Sequence, residues 1–258
     1  MARLSGTRAV VTGSGRGIGR AIALSYAAEG AAVVVSARSR DQVEAVAREI
    51  TDQGGRASAL TTDIADQAQV DELAAAAPER LGGPVDVLVN NAGTYIPNRF
   101  LDYGMEQWAQ MLDVNVLGTV RVTRALLPPM LEAGAGRIVN MASTAGKWGS
   151  LYQAAYNVSK HGIVGLTRCL ALETAKQGVR VNAICPGWVE TELIDRQELS
   201  RVYGVPAEEV VDNLLERVPI GRFVTVEEVA ELAVYLASPA SEGMTGQALT
   251  ISGGMILI

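Results

Sequence analysis

Histidine and cysteine are nearly absent from this 258-residue chain, which has one His and two Cys. His161 alone cannot anchor a histidine-based metal site and reads as packing or capping beside Lys160. Cys169 and Cys185 lack metal-ligand spacing. One falls in a helical pattern and the other at a strand end, so both read as reduced structural thiols. Positive charge is not in excess either. Lys and Arg number 22 against 28 Asp and Glu, giving a net charge of −6 and a pI near 5.0, which argues against nucleic acid as a main partner. No apolar run reaches membrane-spanning length, and residues 1–6 hold no apolar signal segment. A soluble, cytoplasmic protein in a reducing compartment is expected. Aromatic residues are scarce, with three Trp, seven Tyr and two Phe, so where they cluster is informative.

What is present is enough apolar material for a sizeable core: 48% hydrophobic residues against 19% charged. Short β-branched runs at 9–12, 32–36, 57–61, 85–90, 137–141, 179–184 and 248–251 predict strands. Amphipathic stretches at 18–29, 41–52, 67–80, 105–131, 155–176 and 226–236 predict helices between them. Runs such as Val33-Val34-Val35 are apolar without alternation, as in a parallel sheet covered on both faces. The strict alternation predicts an α/β fold with a doubly wound parallel sheet and right-handed crossovers. No linker, repeat or low-complexity stretch divides the chain, so residues 1–258 read as a single domain. The polar segment 190–222 interrupts the rhythm after the sixth strand, where an insertion is well placed to act as a substrate lid.

Ligands of open parallel sheets bind at the carboxyl ends of the strands, and the unusual residues gather there. After the first strand runs Thr12-Gly13-Ser14-Gly15-Arg16-Gly17-Ile18-Gly19. Glycines let the backbone turn sharply and approach a pyrophosphate, and a helix start beyond them offers free N–H groups. The Gly-x-x-x-Gly-x-Gly spacing differs from Gly-x-Gly-x-x-Gly and from a P-loop. The second strand ends in Ser36-Ala37-Arg38-Ser39, without the carboxylate that would grip a ribose 2′-hydroxyl. Arg38, with Arg16 from the glycine turn, suits a 2′-phosphate instead, so NADP(H) is expected over NAD(H). Asp63 and Ile64 follow the third strand and suit an adenine edge. Asn90, Asn91, Ala92 and Gly93 follow the fourth as a tight turn that lets the backbone pass close to a ligand. Ser143 follows the fifth. After the sixth come Pro186, Gly187, Trp188, Val189, Glu190 and Thr191, of which Pro186, Gly187, Val189 and Thr191 count as cofactor contacts.

Tyr156 precedes Lys160 by one helical turn, so their side chains share a face. A free phenol, with a pKa of roughly 10, exchanges protons poorly near neutrality, and a nearby ammonium lowers that value. Such a pair suits proton exchange with a carbonyl or alcohol. Tyr95, Ile96, Trp148, Tyr152, Gln153 and Trp188 flank it on the same edge. They predict an apolar substrate pocket with a few polar anchors, or else packing around a mobile lid. Arg99, Arg124 and Arg137 are the arginines expected near its entrance.

Taken in order, Thr12-Gly13-x-x-x-Gly17-x-Gly19, Asp63, Asn90-Asn91-Ala92-Gly93, Asn115, Ser143, Tyr156-x-x-x-Lys160 and Pro186-Gly187 carry a resemblance. Over essentially its whole length the chain resembles the short-chain dehydrogenases/reductases. The resemblance implies a Rossmann-like fold of about seven strands and a catalytic tetrad of Asn115, Ser143, Tyr156 and Lys160, with Lys160 also holding the nicotinamide ribose. Asn115 falls inside a long helical pattern, where asparagine is a mediocre former. The resemblance accounts for it as a kink that frees a carbonyl for a water linked to Lys160. The stretches 182–189 and 218–222 are similar to 3-oxoacyl and polyketide ketoreductases and to 3-hydroxybutyrate-type dehydrogenases.

In this chemistry Ser143 would hydrogen-bond the carbonyl oxygen as charge grows on it, and Tyr156 would deliver the proton. The expected function is NADPH-dependent reduction of a 3-oxoacyl-type or other small ketone to a secondary alcohol. NAD-dependent oxidation of a secondary alcohol is the alternative. A non-catalytic dinucleotide-binding module is a third reading, though it would not need Ser143, Tyr156 and Lys160 together. Residues 255–258 are apolar and would be exposed in a monomer, which predicts burial against another subunit. The resemblance implies a homotetramer paired partly through the helices bearing Asn115 and Tyr156.

Overall fold

The computed structural model describes residues 2–191 and 195–257. Its strands are β1 (Arg8–Thr12), β2 (Ala32–Ala37), β3 (Arg56–Thr61), β4 (Val87–Asn90), β5 (Gly136–Met141), β6 (Val179–Pro186) and β7 (Ala248–Ile251). All pair in parallel in the order β3-β2-β1-β4-β5-β6-β7. The helices are α1 (Gly17–Ala28), α2 (Arg40–Asp52), α3 (Gln67–Leu81), α4 (Met105–Leu112), α5 (Thr119–Ala133), α6 (Ala154–Thr174), α7 (Arg196–Tyr203), α8 (Val210–Leu215) and α9 (Val226–Ala237). The expected doubly wound α/β sheet is present. Among the described residues no helix is long and apolar enough to cross a membrane.

Successive valines of one strand serve opposite cores, which is why the strand sequences do not alternate. Val10 and Val34 pack with Leu73 of α3 and Leu126 of α5. Val11, Val33 and Val35 pack on the other face with Tyr26 of α1, Val43 of α2 and Val229 of α9. Each of these valines is fully buried, worth roughly 1.5–3 kcal/mol per side chain. Strand order reverses between β1 and β4, so the connections leaving their carboxyl ends diverge and open a crevice.

Three expected elements differ. The helix expected over 105–131 is broken by a π-helical segment, Asp113–Gly118, between α4 and α5. Within it the Asn115 side chain bonds to the backbone of Thr94, outside the helix, and the Thr119 hydroxyl donates to the Asn115 carbonyl at 3.0 Å. The helix expected to reach 176 ends at Thr174 in a short 3-10 turn, because Gly178 turns the chain with φ 79° against the backbone of Gly134. The carboxyl tail is less exposed than expected. Ile256 is buried at 8%, held by its N–H to the Ser252 hydroxyl, whereas Leu257 is 91% exposed and residue 258 lies outside the described residues.

The segment 190–222 supplies α7 and α8, with 192–194 outside the described residues. Its flanks are tied together: Val189 and Val224 form a parallel bridge, and Val224 N donates to Trp188 O at 3.0 Å.

A buried polar chain fastens the crevice floor. Asn90 Nδ2 donates to Thr123 Oγ1 and to Asn140 Oδ1, each at 2.9 Å, and Asn140 Nδ2 donates to Thr167 Oγ1 at 2.9 Å. It links β4 and β5 to α5 and α6. Truncating Asn140 orphans partners on both sides, and each buried orphan costs about 1–3 kcal/mol. Asn140→Ala should therefore lower the urea-unfolding free energy by about 2–4 kcal/mol; a loss under about 1 kcal/mol would show that the chain contributes little.

Candidate active site

The glycine turn and the β4 turn are in direct contact. Thr12 Oγ1 donates to Val89 O at 3.2 Å and accepts from Asn91 N and Ala92 N at 3.0 and 3.2 Å. Asn91 Nδ2 donates to Thr12 O and Gly13 O at 3.0 and 3.1 Å. A Cβ on Gly13 would stand 2.7 Å from Ala92 Cα, and one on Gly19 would overlap Gly13 O and Asn91 Nδ2. Only glycine fits these two positions. The Arg16 side chain does not cap α1, which leaves the first N–H groups of the helix available at the glycine turn.

A cleft of about 580 Å³ runs along this edge. Gly13, Gly15, Arg16, Gly17, Ile18 and Gly19 line it on one side. Of the other expected cofactor contacts, Arg38, Asp63, Ile64, Ala92, Gly93 and Thr191 line it too. No carboxylate stands at the end of β2; Ala37, Arg38 and Ser39 do. Asp63 Oδ1 accepts from Ala65 N at 3.0 Å, which fixes the carboxylate at the cleft. Asn90 is turned inward: its Nδ2 donates within the sheet to Thr123 and Asn140, and it does not line this cleft. Asn91 of the expected β4 turn lines the cleft, and Gln42, Thr62, Thr94 and Gln110 line it unanticipated. Polar residues one turn into a helix carry no signal of their own, although Gln42 lies against Gly15 and so belongs to the glycine turn.

The cleft joins a second cavity of about 200 Å³ at Ile18, Asn91, Gly93, Thr94 and Thr191. Ser143, Tyr156 and Lys160 line this second cavity, as do Pro186, Gly187 and Val189. Asn115 stands behind them, buried at 2%. Its Oδ1 accepts from Thr94 N at 2.7 Å, and its Nδ2 donates to Thr94 O at 2.9 Å and to Ser159 Oγ at 3.0 Å. Gly93 sits between this amide and the lysine: a Cβ there would be 3.1 Å from Asn115 Oδ1 and 3.7 Å from Lys160 Nζ. The four residues are thus brought together from three places in the fold: the π segment for Asn115, the turn after β5 for Ser143, and α6 for Tyr156 and Lys160.

Lys160 is 5% exposed, and its Nζ donates to Met141 O at 2.8 Å. Burial lowers its pKa to about 8. Part of the Tyr156 ring faces the cavity while its phenol end is enclosed, and burial pushes that phenol up to about 12, with the Ser143 hydroxyl beside it pulling part of the way back. The expected lowering of the phenol by Lys160 is therefore absent here. The physical reason is placement: the ammonium is bound to Met141 O and lies 5.6 Å from the centroid of the Tyr156 ring, without a hydrogen bond to its oxygen. Cys185 is buried nearby, its thiol raised by burial, while Cys169 is exposed on α6 and has no packing role.

Tyr95, Trp148, Gln153 and Trp188 line the cavity as expected. Tyr95 packs edge-on to Tyr156 with centroids 4.9 Å apart. Tyr152 does not line it. The chain turns there with φ 59°, sending the ring against Tyr203 at 5.3 Å and beneath Arg99 at 5.6 Å. The expected entrance arginines are elsewhere: Arg99 covers Tyr152, Arg124 is exposed on α5, and Arg137 pairs with Glu242 at the amino end of β5. Leu151, Tyr203, Leu214, Arg217 and Met255 line the cavity in their place. Tyr203 carried a usable signal, being the one aromatic between 195 and 217.

A parallel sheet with a glycine turn at its reversal point, opening into a cavity floored by Ser, Tyr and Lys, defines an oxidoreductase of the dinucleotide-dependent class. The chain belongs to the short-chain dehydrogenase/reductase family: the model of a family described as "Enoyl-(Acyl carrier protein) reductase" matches residues 13–256. A Streptomyces coelicolor protein named as a ketoacyl reductase is 43% identical over 251 residues, 96% of each chain. D-beta-hydroxybutyrate dehydrogenase of Cupriavidus necator is 40% identical over 258 residues, 98% of this chain and 99% of that one. A crystal structure of an actinorhodin polyketide ketoreductase variant with NADPH superposes with a TM-score of 0.94 at 43% identity, covering 99% of both chains.

Because burial depresses Lys160 below its ordinary value, the unfolded chain binds more protons than the fold between about 8 and 10.5. Stability from this group therefore rises with pH across that window. Tyr156 acts in the opposite sense only above 10. Urea unfolding of the wild type and Lys160→Met at about pH 7.5 and about pH 10 should show the wild type gaining roughly 2–3 kcal/mol on the variant. A gap independent of pH would contradict a buried, depressed ammonium.

Proposed function

We propose that the protein is an NADPH-dependent reductase of ketones of the 3-oxoacyl type, yielding secondary alcohols. The observation that carries this reading is the joining of two cavities. One has a glycine turn and Arg38 in place of a carboxylate; the other is aromatic-walled with Ser143, Tyr156 and Lys160 at its base. The ketoreductase relatives, one of them solved with NADPH, support it.

The chain's own groups fit the dinucleotide. The glycine turn, kept free of side chains at 13 and 19 so that it packs closely on the β4 turn, and the uncapped start of α1 suit a pyrophosphate. Arg38 and Arg16 suit a 2′-phosphate, with bidentate geometry open to a guanidinium. Asp63, Ile64, Ala92 and Gly93 would flank the adenosine half, and Pro186, Gly187, Val189 and Thr191 the nicotinamide half. The backbone of Asn90 would support this turn from within the sheet, its side chain being turned away.

The bound dinucleotide supplies the hydride. Ser143 would donate to the substrate carbonyl oxygen and stabilise it as it gains charge. Tyr156 would deliver the proton; a phenol raised to about 12 stays protonated near neutrality and is ready to donate. Lys160 would replenish it from a buried ammonium poised at about 8 and hold the ribose. Asn115 would position Gly93 and α6 beside that lysine. Tyr95, Trp148, Gln153 and Trp188 would line the substrate, with Tyr152 supporting Tyr203 from outside the cavity. Segment 190–222 would serve as a lid within a single catalytic domain spanning 1–258. Exposed Phe100, Leu101 and Met105, at 68%, 91% and 77%, offer apolar surface for the tetramer contact that the resemblance implies.

The hydroxybutyrate dehydrogenase relative favours a second reading, oxidation of a secondary alcohol with NAD. Cofactor titration separates the two: tighter binding of NADH than NADPH would overturn the proposal, and Arg38→Asp should reverse the preference. Tyr156→Phe should cut kcat for a 3-oxoacyl thioester by at least about 100-fold while still binding NADPH. Near-full activity in that variant, or reduction of a 2-enoyl thioester in place of the ketone, would sink the reading.

A further inference from the structure

The substrate cavity carries two charged side chains among its described lining residues, Lys160 at the base and Arg217 at the mouth. The walls between them are mostly apolar or aromatic. Arg217 is exposed and yet lines the cavity, so its guanidinium stands where the cavity meets solvent. It is contributed by the segment after α8. Two other arginines of that segment are committed to carboxylates: Arg201 to Glu198 at 2.7 Å and Arg222 to Glu228 at 2.8 Å. Arg217 has no such commitment among the described residues, and no described acidic residue lines the cavity.

Its field nevertheless reaches the wall. Burial raises the Tyr203 phenol, while Gln153 and then Arg217 pull it the other way. Deeper in, the Tyr95 hydroxyl is buried without a hydrogen-bond partner of good geometry, although Gln153 lies beside it. The cavity thus offers, from base to mouth, the Ser143 and Tyr156 hydroxyls, then the Tyr95 hydroxyl with Gln153, then an unpaired cation. A buried unpaired hydroxyl is costly unless something bonds it, and a guanidinium at an apolar mouth is matched best by a planar or tetrahedral oxyanion.

We infer that Arg217 is a specificity-determining residue that selects ketones bearing an oxyanion, a carboxylate or a phosphate, on the side of the molecule away from the reacting carbonyl. The inference rests on the ketone-reduction reading of the site. A second carbonyl of the substrate would pass the Tyr95 hydroxyl and Gln153 on the way to the guanidinium. A neutral ketone would fill the aromatic walls and leave Arg217 in water.

The test compares wild type, Arg217→Met and Arg217→Lys with three forms of one 3-oxo acid: acetoacetate, acetoacetyl-CoA and the neutral ethyl ester. In Arg217→Met the ratio of kcat/KM for an anionic form to kcat/KM for the ester should fall roughly tenfold, the scale of one charge-assisted contact. The change should lie in KM, and Arg217→Lys should restore part of it. A fall with acetoacetate assigns a carboxylate; a fall with acetoacetyl-CoA alone assigns the phosphates. An unaltered ratio for both anions overturns the inference. Quenching of Trp148 and Trp188, which line the cavity, gives a readout without turnover when acetoacetate or acetoacetyl-CoA is titrated in. Anion binding weakened in Arg217→Met, with no ketone reduced by the wild type, would uphold Arg217 and sink the reductase reading. Ester reduction with anion binding equal in wild type and variant would sink the inference alone.

Discussion

Everything at this site depends on burying a phenol and an ammonium side by side. Water would leave Tyr156 near 10 and Lys160 near 10.5; removing it drives the two apart, to about 12 and about 8. Both shifts favour the neutral forms, because both charged forms lose solvation. Near neutrality the pair is therefore a protonated phenol beside an ammonium that gives up its proton more readily than a free lysine, not a phenolate–ammonium ion pair. An added negative charge, such as a developing alkoxide or a bound phosphate, would reverse the balance at the lysine.

The fold makes that burial possible by giving each group a different support. Lys160 is held by the Met141 carbonyl at the end of β5, so its amine cannot retreat to solvent. Ser159, its neighbour on α6, accepts from Asn115 and donates to Tyr156 O at 2.7 Å, tying the π segment to the helix that carries the pair. The glycines at the reversal point bring the β1 and β4 turns close enough for the two cavities to meet beside this helix. The reductase reading follows from that meeting, since a cofactor-sized cleft or a protonated tyrosine alone would not imply reduction.

Much of this is legible in the sequence because it rests on local rules. The seven strands, several of them unalternating apolar runs, and the helices between them follow from period and composition. Glycines at 13 and 19 follow from turn geometry, and the Tyr–Lys pair from helical spacing. The remainder depends on three-dimensional neighbours. The π segment forms because Asn115 finds Thr94 and Ser159, partners distant along the chain. Asn90 sits in a motif beside the cleft yet turns inward, because Asn140 and Thr123 compete for its amide. Tyr152 leaves the cavity through one positive φ, and Arg217 enters it through the path of the 190–222 segment. Periodicity contains none of these facts.

The shifted phenol is the most direct point of attack. Selective ¹³Cζ-tyrosine labelling, with Tyr156 assigned by loss of its signal in Tyr156→Phe, gives its titration in the free protein. The account predicts that this resonance stays in its protonated position up to about pH 11, consistent with a value pushed to about 12 by burial. A midpoint at or below the ordinary tyrosine value of about 10 would contradict it.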